Sequence, residues 1–286
     1  MMRTSDPRIS DPAEPIADFF DAFAPLYDDW ARGLHSRVAS RLVTLSAPAP
    51  GEDCLDVGCG TGLVANAVAP LVGPRGTVVG LDVAAGMLRR ARDRSRSEGL
   101  RNTVFEHERV SHRLRFQDGL FDLVTLGTSL AFLGDPLAIL TEARRVLRDG
   151  GRIALSLRRR SLVTPVQEAF FGWLEELTAQ HWRAIPRPQG SRSPLGEPQT
   201  LRRLLLEAGF GEPVTTMLAT GSQMPSASAW IDHMTWSGPW PWALLTTLGP
   251  TERGRLEAAL GREMERMGDE AFHYTDAFTF AVAHTA

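Results

Sequence analysis

The sequence predicts an α/β fold: a doubly wound, mostly parallel sheet of about seven strands, with helical lid insertions. Three observations predict it. Short apolar strands alternate with amphipathic helices between Asp53 and Leu157. The first strand runs straight into a glycine loop, Asp56-Val57-Gly58-Cys59-Gly60-Thr61-Gly62, which opens a helix. The second strand closes on an acid, Asp82, where an open parallel sheet presents groups to a ligand.

The elements follow in order. Residues 1–13 are polar and proline-broken and read as a disordered leader without the apolar centre of a signal peptide. Ile16, Phe19, Phe20 and Phe23 fall on one face of a helix opening near Glu14, and a second helix spans Leu34 to Leu45. Cys54 to Val57 is a buried strand, followed by a helix from Leu63 to Ala69 that Pro70 helps to end. Strands at Thr77–Leu81, Thr103–His107, Phe121–Leu126 and Arg152–Leu157 enclose helices at Ala84–Arg96 and Pro136–Leu147. Beyond Leu157 the alternation breaks at a Pro-, Trp- and Arg-rich insertion, residues 158–198, with a helical stretch from Pro165 to Thr178. It resumes with a helix at Thr200–Ala208, capped by Gly209, and a strand at Val214–Leu218. A second insertion, residues 221–270, precedes a final strand at Ala277–Ala283. The core thus comprises residues 14–157, 199–220 and 271–286.

Composition narrows the function. The chain has 286 residues, 43% of them hydrophobic, enough for a full-sized core. A net charge of −3 offers no global attraction to a nucleic-acid backbone or an anionic membrane. No apolar run approaches the ~20 residues that span a bilayer. Two cysteines, Cys54 and Cys59, are too few for a disulfide framework or a zinc site, and a reducing cytoplasm is the expected compartment.

The loop residues state what they could hold. Gly58, Gly60 and Gly62 permit positive φ and keep Cβ atoms away from a ligand lying on the backbone. Asp56, at the strand end, can face an ammonium group. Asp82, twenty residues beyond Gly62, can accept both hydroxyls of a ribose. A dinucleotide fold is the nearest rival, but its G-x-G-x-x-G spacing is replaced here by G-x-G-x-G.

The segments Leu55-Asp56-Val57-Gly58-Cys59-Gly60-Thr61-Gly62 and Val79-Gly80-Leu81-Asp82 resemble motifs of class I methyltransferases that use S-adenosylmethionine (SAM). Phe121-Asp122-Leu123-Val124, Asp135-Pro136 and Arg145-Val146-Leu147-Arg148-Asp149-Gly150-Gly151 resemble later landmarks of that family. Upstream, Phe20 to Trp30 is similar to a segment of the ubiquinone/menaquinone-biosynthesis-like small-molecule branch, whose corresponding tyrosine (here Tyr27) touches the cofactor. The resemblance implies a Rossmann-like sheet whose last strand is antiparallel, and SAM as cofactor. It implies cofactor contacts from Tyr27, Asp56, Gly58, Cys59, Gly60, Gly62, Asp82, Val83, Met87, Val110, Ser111 and Gly127. Two departures stand out. Arg109-Val110-Ser111 occupies the place of a Gly-Asp-Ala whose aspartate reads adenine, and Ala131-Phe132 replaces a histidine pair.

An acceptor that must lose a proton calls for a base. His233 is the expected catalytic residue, because it sits among Trp230, Met234 and Trp236 in the segment that would cap the pocket. The Trp- and Phe-rich insertions suit a small, fairly apolar acceptor, either as a lid or as a helical subdomain with a core of its own. No metal is expected, and monomer and homodimer stay equally open. Without the histidine pair, a SAM-binding cyclase on the same fold remains the alternative to methyl transfer.

Overall fold

A computed structural model describes residues 14–110, 112–159, 170, 172–173, 194–268 and 273–285. The predicted leader, Ser111 and most of the first insertion lie outside the described residues. Seven strands form one sheet in the order β3-β2-β1-β4-β5-β7-β6. They are β1 (Cys54–Val57), β2 (Val78–Asp82), β3 (Thr103–His107), β4 (Phe121–Gly127), β5 (Leu147–Arg158), β6 (Val214–Gln223) and β7 (His273–His284). The first five run parallel, while β7 is antiparallel to both β5 and β6. The winding direction reverses between β1 and β4, and a ligand crevice forms at such a switch point, beyond the strand carboxyl ends.

Helices α1 (Glu14–Phe23), α2 (Trp30–Ser46), α3 (Leu63–Val72), α4 (Ala85–Ser97), α5 (Pro136–Val146) and α6 (Pro198–Glu207) accompany the sheet. One apolar layer packs α2, α3 and α4 on Cys54, Val78 and Leu123; the other joins α5 and α6 to Leu55, Val124 and Ile153. Strands buried on both faces read as continuous apolar runs, which is why β1 and β4 stood out in the sequence.

Three elements differ from expectation. Helix α3 continues past Pro70 to Val72, because Asn102 Nδ2 secures its end by donating to the carbonyls of Ala69 and Gly73. In α2, Ala31, Arg32 and Gly33 form a left-handed turn, with φ of 50°, 57° and 71°, before the regular helix begins. Strands β6 and β7 pair from Val214–Val282 as far as Gln223–His273, well beyond the predicted segments.

The second insertion contributes α7 (Ala227–Thr235), α8 (Pro239–Leu245) and α9 (Pro250–Met267). Each start has a local cause. Ser226 Oγ accepts from Ala229 N at 3.1 Å, Pro239 and Pro250 begin their helices, and Glu252 reaches back to Gly249 N. Trp230, Trp240, Leu244, Leu256, Leu260 and Met264 bury one another, with Phe170 set edge-on to Trp230 at 4.7 Å. The helices therefore possess their own core. Trp236 and Trp242 turn the other way: Trp236 stacks on Phe23 at 5.1 Å, and Trp242 meets Phe19 at 5.8 Å. Truncating the fully buried Trp230 to alanine should cost about 3–5 kcal/mol, read as a lower urea midpoint.

Candidate cofactor and acceptor site

The carboxyl ends of β1 and β4 meet in a narrow cleft beside the glycine loop. The loop is fastened from behind, with Gly58 N and Cys59 N donating to Leu81 O at 2.8 and 2.9 Å. Gly58 has φ 72°, and a Cβ there would overlap Ser129, whose hydroxyl donates to Val57 O. Gly60, at φ 55°, has nothing near its missing Cβ, so its backbone is the bare wall of the cleft. Gly62 is the N-terminal cap of α3. Cys59 presents its backbone, because its buried sulfur fills the space above Gly80.

Two acids face this wall. Asp56 is buried; its Oδ1 accepts from Thr125 Oγ1 at 2.7 Å, and its Oδ2 has no hydrogen-bond partner among the described residues. Burial pushes its carboxyl up to about 7, against the opposing pull of the Thr125 and Ala65 donors, with the nearby Asp82 charge adding to the rise. Asp82 accepts from Gly60 N and Ala84 N, both at 2.8 Å. Burial raises it as well, and those two N–H groups oppose the rise.

The chain after α1 forms the cover. Asp28 ties it down, accepting from Thr61 Oγ1 at 2.6 Å and pairing with Arg94 at 2.5 Å. Phe20, Ala24 and Tyr27 pack on Ala84 and Met87 at the start of α4. The Tyr27 ring lines the cleft with its hydroxyl beside Thr128, and burial raises its pKa. Gly127 also lines the cleft at the end of β4. Val83 follows β2, its carbonyl 2.7 Å from His107 Nε2, and Val110 is buried in the core layer. The structure thus gathers Tyr27, Asp56, Gly58, Cys59, Gly60 and Gly127 around one space, with Asp82 bonded to its wall.

His233 is buried in α7 and stacks on Trp30 at 4.5 Å and 16°. Burial, with the Arg158 charge adding to it, lowers its pKa to about 3. It is not part of the cleft lining; Trp30 stands between it and that space. A second histidine does line the cleft. His35 stacks on Tyr27 at 3.9 Å and 18°, and sequence reasoning passed over it. Its signal was faint, since Gly33-Leu34-His35 reads as an ordinary helix start; only its distance from Tyr27 on a covering segment hinted at the site.

These residues suit SAM. A buried carboxylate oxygen without a partner matches an ammonium group, and the bare Gly60 backbone admits close approach of a ligand. Asp82 carries four lone-pair sites, of which two backbone donors leave room for hydroxyls.

Comparisons with known proteins agree with this geometry. Residues 48–187 match the methyltransferase domain family. A nocamycin O-methyltransferase of Saccharothrix syringae is 35% identical over 258 residues, covering 86% of this chain and 89% of the relative. A 2-phytyl-1,4-naphtoquinone methyltransferase of Synechocystis sp. is 31% identical over 220 residues, covering 73% and 92%. The crystal structure of a putative methyltransferase from Bacillus halodurans shares the fold, with a TM-score of 0.58 at 18% identity, covering 86% of this chain and 97% of that one. With a relative this similar over nearly its full length, the chain belongs to the class I SAM-dependent methyltransferases, in their ubiquinone/menaquinone-biosynthesis-like small-molecule branch.

Proposed function

We propose that this methyltransferase acts on a small, planar, fairly apolar metabolite with an acidic O–H, of the kind made in natural-product or quinone biosynthesis. One observation carries the reading: aromatic rings pack continuously between the cofactor cleft and the helices of the second insertion. Phe23 lies edge-on to both Tyr27 and Trp30, at 5.3 and 5.8 Å, and stacks on Trp236 from the lid. Such a wall favours flat, unsaturated surfaces and leaves few donors for a sugar or a phosphate. Two relatives named for a nocamycin and a naphthoquinone acceptor support it.

SAM supplies an electrophilic methyl group on a sulfonium. Asp56 receives the ammonium group at the helix end of the cleft, and Asp82 receives the ribose hydroxyls while keeping the loop taut through Gly60 N. Gly58, Cys59, Gly60, Gly62 and Gly127 offer backbone surface, and Tyr27 covers it. Val83, Met87 and Val110 supply the apolar side of the adenine pocket; Ser111, outside the described residues, is assigned to the ring edge by its place in the sequence. The segment around Tyr27 and the lid helices keep water from the reacting atoms and hold the acceptor in line. His233 acts on the acceptor end from behind Trp30, whose ring it stacks against.

Incubation with methyl-labelled SAM and a panel of phenolic and enolic acceptors should transfer label; an altered product carrying no label would instead indicate cyclisation or another non-methylating reaction. SAM affinity should depend on pH through Asp56. Its carboxyl must ionise to pair with an ammonium, so below about pH 7 the affinity should fall by up to about tenfold per unit, and at pH 7 binding should release protons. Calorimetry from pH 5.5 to 7.5 measures both, and a flat profile contradicts the assignment. Replacing His233 with alanine should lower turnover about tenfold or more while calorimetric SAM affinity stays unchanged; retained turnover removes it from the acceptor site.

A further inference from the structure

We propose that His35 is a catalytic residue, whose Nε2 takes the proton the acceptor O–H gives up as the methyl group arrives. The proposal rests on the acidic-acceptor reading above. Four observations carry it. His35 lines the same cleft as Asp56, Tyr27 and Thr128. Its Nε2 is buried and has no hydrogen-bond partner among the described residues, whereas buried side-chain nitrogens are ordinarily satisfied. Its plane is fixed by the Tyr27 stack at 3.9 Å, by Trp30 at 5.3 Å on a 30° tilt, and by the Phe23 edge at 6.0 Å. Finally, the left-handed turn at Ala31, Arg32 and Gly33 lets the segment bearing Trp30 fold back beside His35 rather than continue as helix. Two of those three residues carry a Cβ, and each pays about 1–2 kcal/mol for that conformation. Strain of this kind persists where the surroundings enforce a particular placement.

The charge environment suits a proton acceptor. The Tyr27 ring stacks on His35, Asp56 on β1 shares its cleft, the Arg158 charge on β5 acts on it, and His233 on α7 lies beyond Trp30. Burial, with Arg158 adding to it, holds the imidazole at about 3, so it is neutral in the free enzyme. An acceptor losing its proton brings a developing oxyanion beside the ring, the partner that the protonated form lacks, and raises the basicity of His35 as the reaction proceeds. The acceptor oxygen forms the new O–CH3 bond with a lone pair. The S–CH3 bonding pair returns to sulfur, giving a thioether, and the O–H pair stays on oxygen while the proton moves to Nε2. The imidazolium passes that proton to solvent on product release. His233, one ring further out behind Trp30, holds that ring in place and does not take this proton.

The test uses whichever acceptor the wild-type enzyme methylates. Failure of the acidic-acceptor reading then shows in the wild type, and failure of the His35 role shows only in the ratio of variant to wild type. His35→Phe keeps the ring stacked on Tyr27 and should bind SAM within about threefold of wild type by calorimetry, yet turn over about 10²–10⁴-fold more slowly. His35→Ala should regain at least about tenfold of its turnover when imidazole is added. In the free protein, ¹⁵N spectra of the His35 ring should show a neutral imidazole at pH 7. Turnover of His35→Phe within tenfold of wild type, a loss accounted for by SAM affinity, indifference of His35→Ala to imidazole, or a protonated His35 at pH 7 would each overturn the proposal.

Discussion

Burying the Asp56 carboxyl group at the end of β1 costs free energy that its hydrogen bond from Thr125 does not return in full. The group is held there by the sheet itself: β1 pairs with β2 on one side and β4 on the other, and Thr125 comes from the register opposite Asp56 on β4. A carboxylate in that position would be stabilised by a cation with the right reach, and among the described residues none bonds its Oδ2. The glycine loop follows from the same constraint. A ligand cation can reach Asp56 only if the backbone turns away immediately after Val57, and Gly58 makes that turn against Ser129 where any Cβ would collide.

Asp82 couples the second strand to that loop. By accepting from Gly60 N and Ala84 N it joins the loop to the start of α4, and its own burial is offset by those two donors. Asp28 then ties the cover to the loop through Thr61 and to α4 through Arg94. Two carboxylates from separate stretches of chain, Asp28 and Asp82, thus converge on the loop that Asp56 opens. The cover over the cleft is fixed by polar contacts at its base and by ring contacts at its top, so the loop and its cover are parts of one bonded unit.

The sequence revealed the floor more readily than the wall. Asp56 through Gly62 and Asp82 were legible because each answers to local backbone geometry: a strand end, a positive φ, a helix start. The central strands were legible because burial on both faces demands near-continuous apolar residues. What escaped depended on contacts between distant segments. The continuation of β6 through Thr220-Gly221-Ser222-Gln223 has no apolar alternation to announce it and exists because β7 pairs with it. Helix α3 outlasts Pro70 because Asn102 arrives from another loop. Trp230 and Trp236 look alike in sequence, yet one is at the centre of the inserted helices' own core and the other packs on α1, a division set by their positions in α7 and just beyond its end. His35 escaped for the same reason, its role depending on a stack with Tyr27 that no spacing rule encodes.

The departures from the family pattern acquire a common physical sense in this arrangement. Where relatives carry a histidine pair after the fourth strand, Ala131 and Phe132 stand here, and Phe132 meets Phe20 edge-on at 5.3 Å. That contact seals α1 to the β4 side of the cleft with carbon instead of nitrogen. Polar rings stand instead on the segment after α1, on α2 and on α7, where Tyr27, His35, Trp30 and His233 lie ring upon ring. A flat acceptor can replace such a column's contacts with equivalent ones, whereas a bulky saturated ligand would break them without compensation. The two imidazoles, His35 and His233, place nitrogen within an otherwise aromatic column.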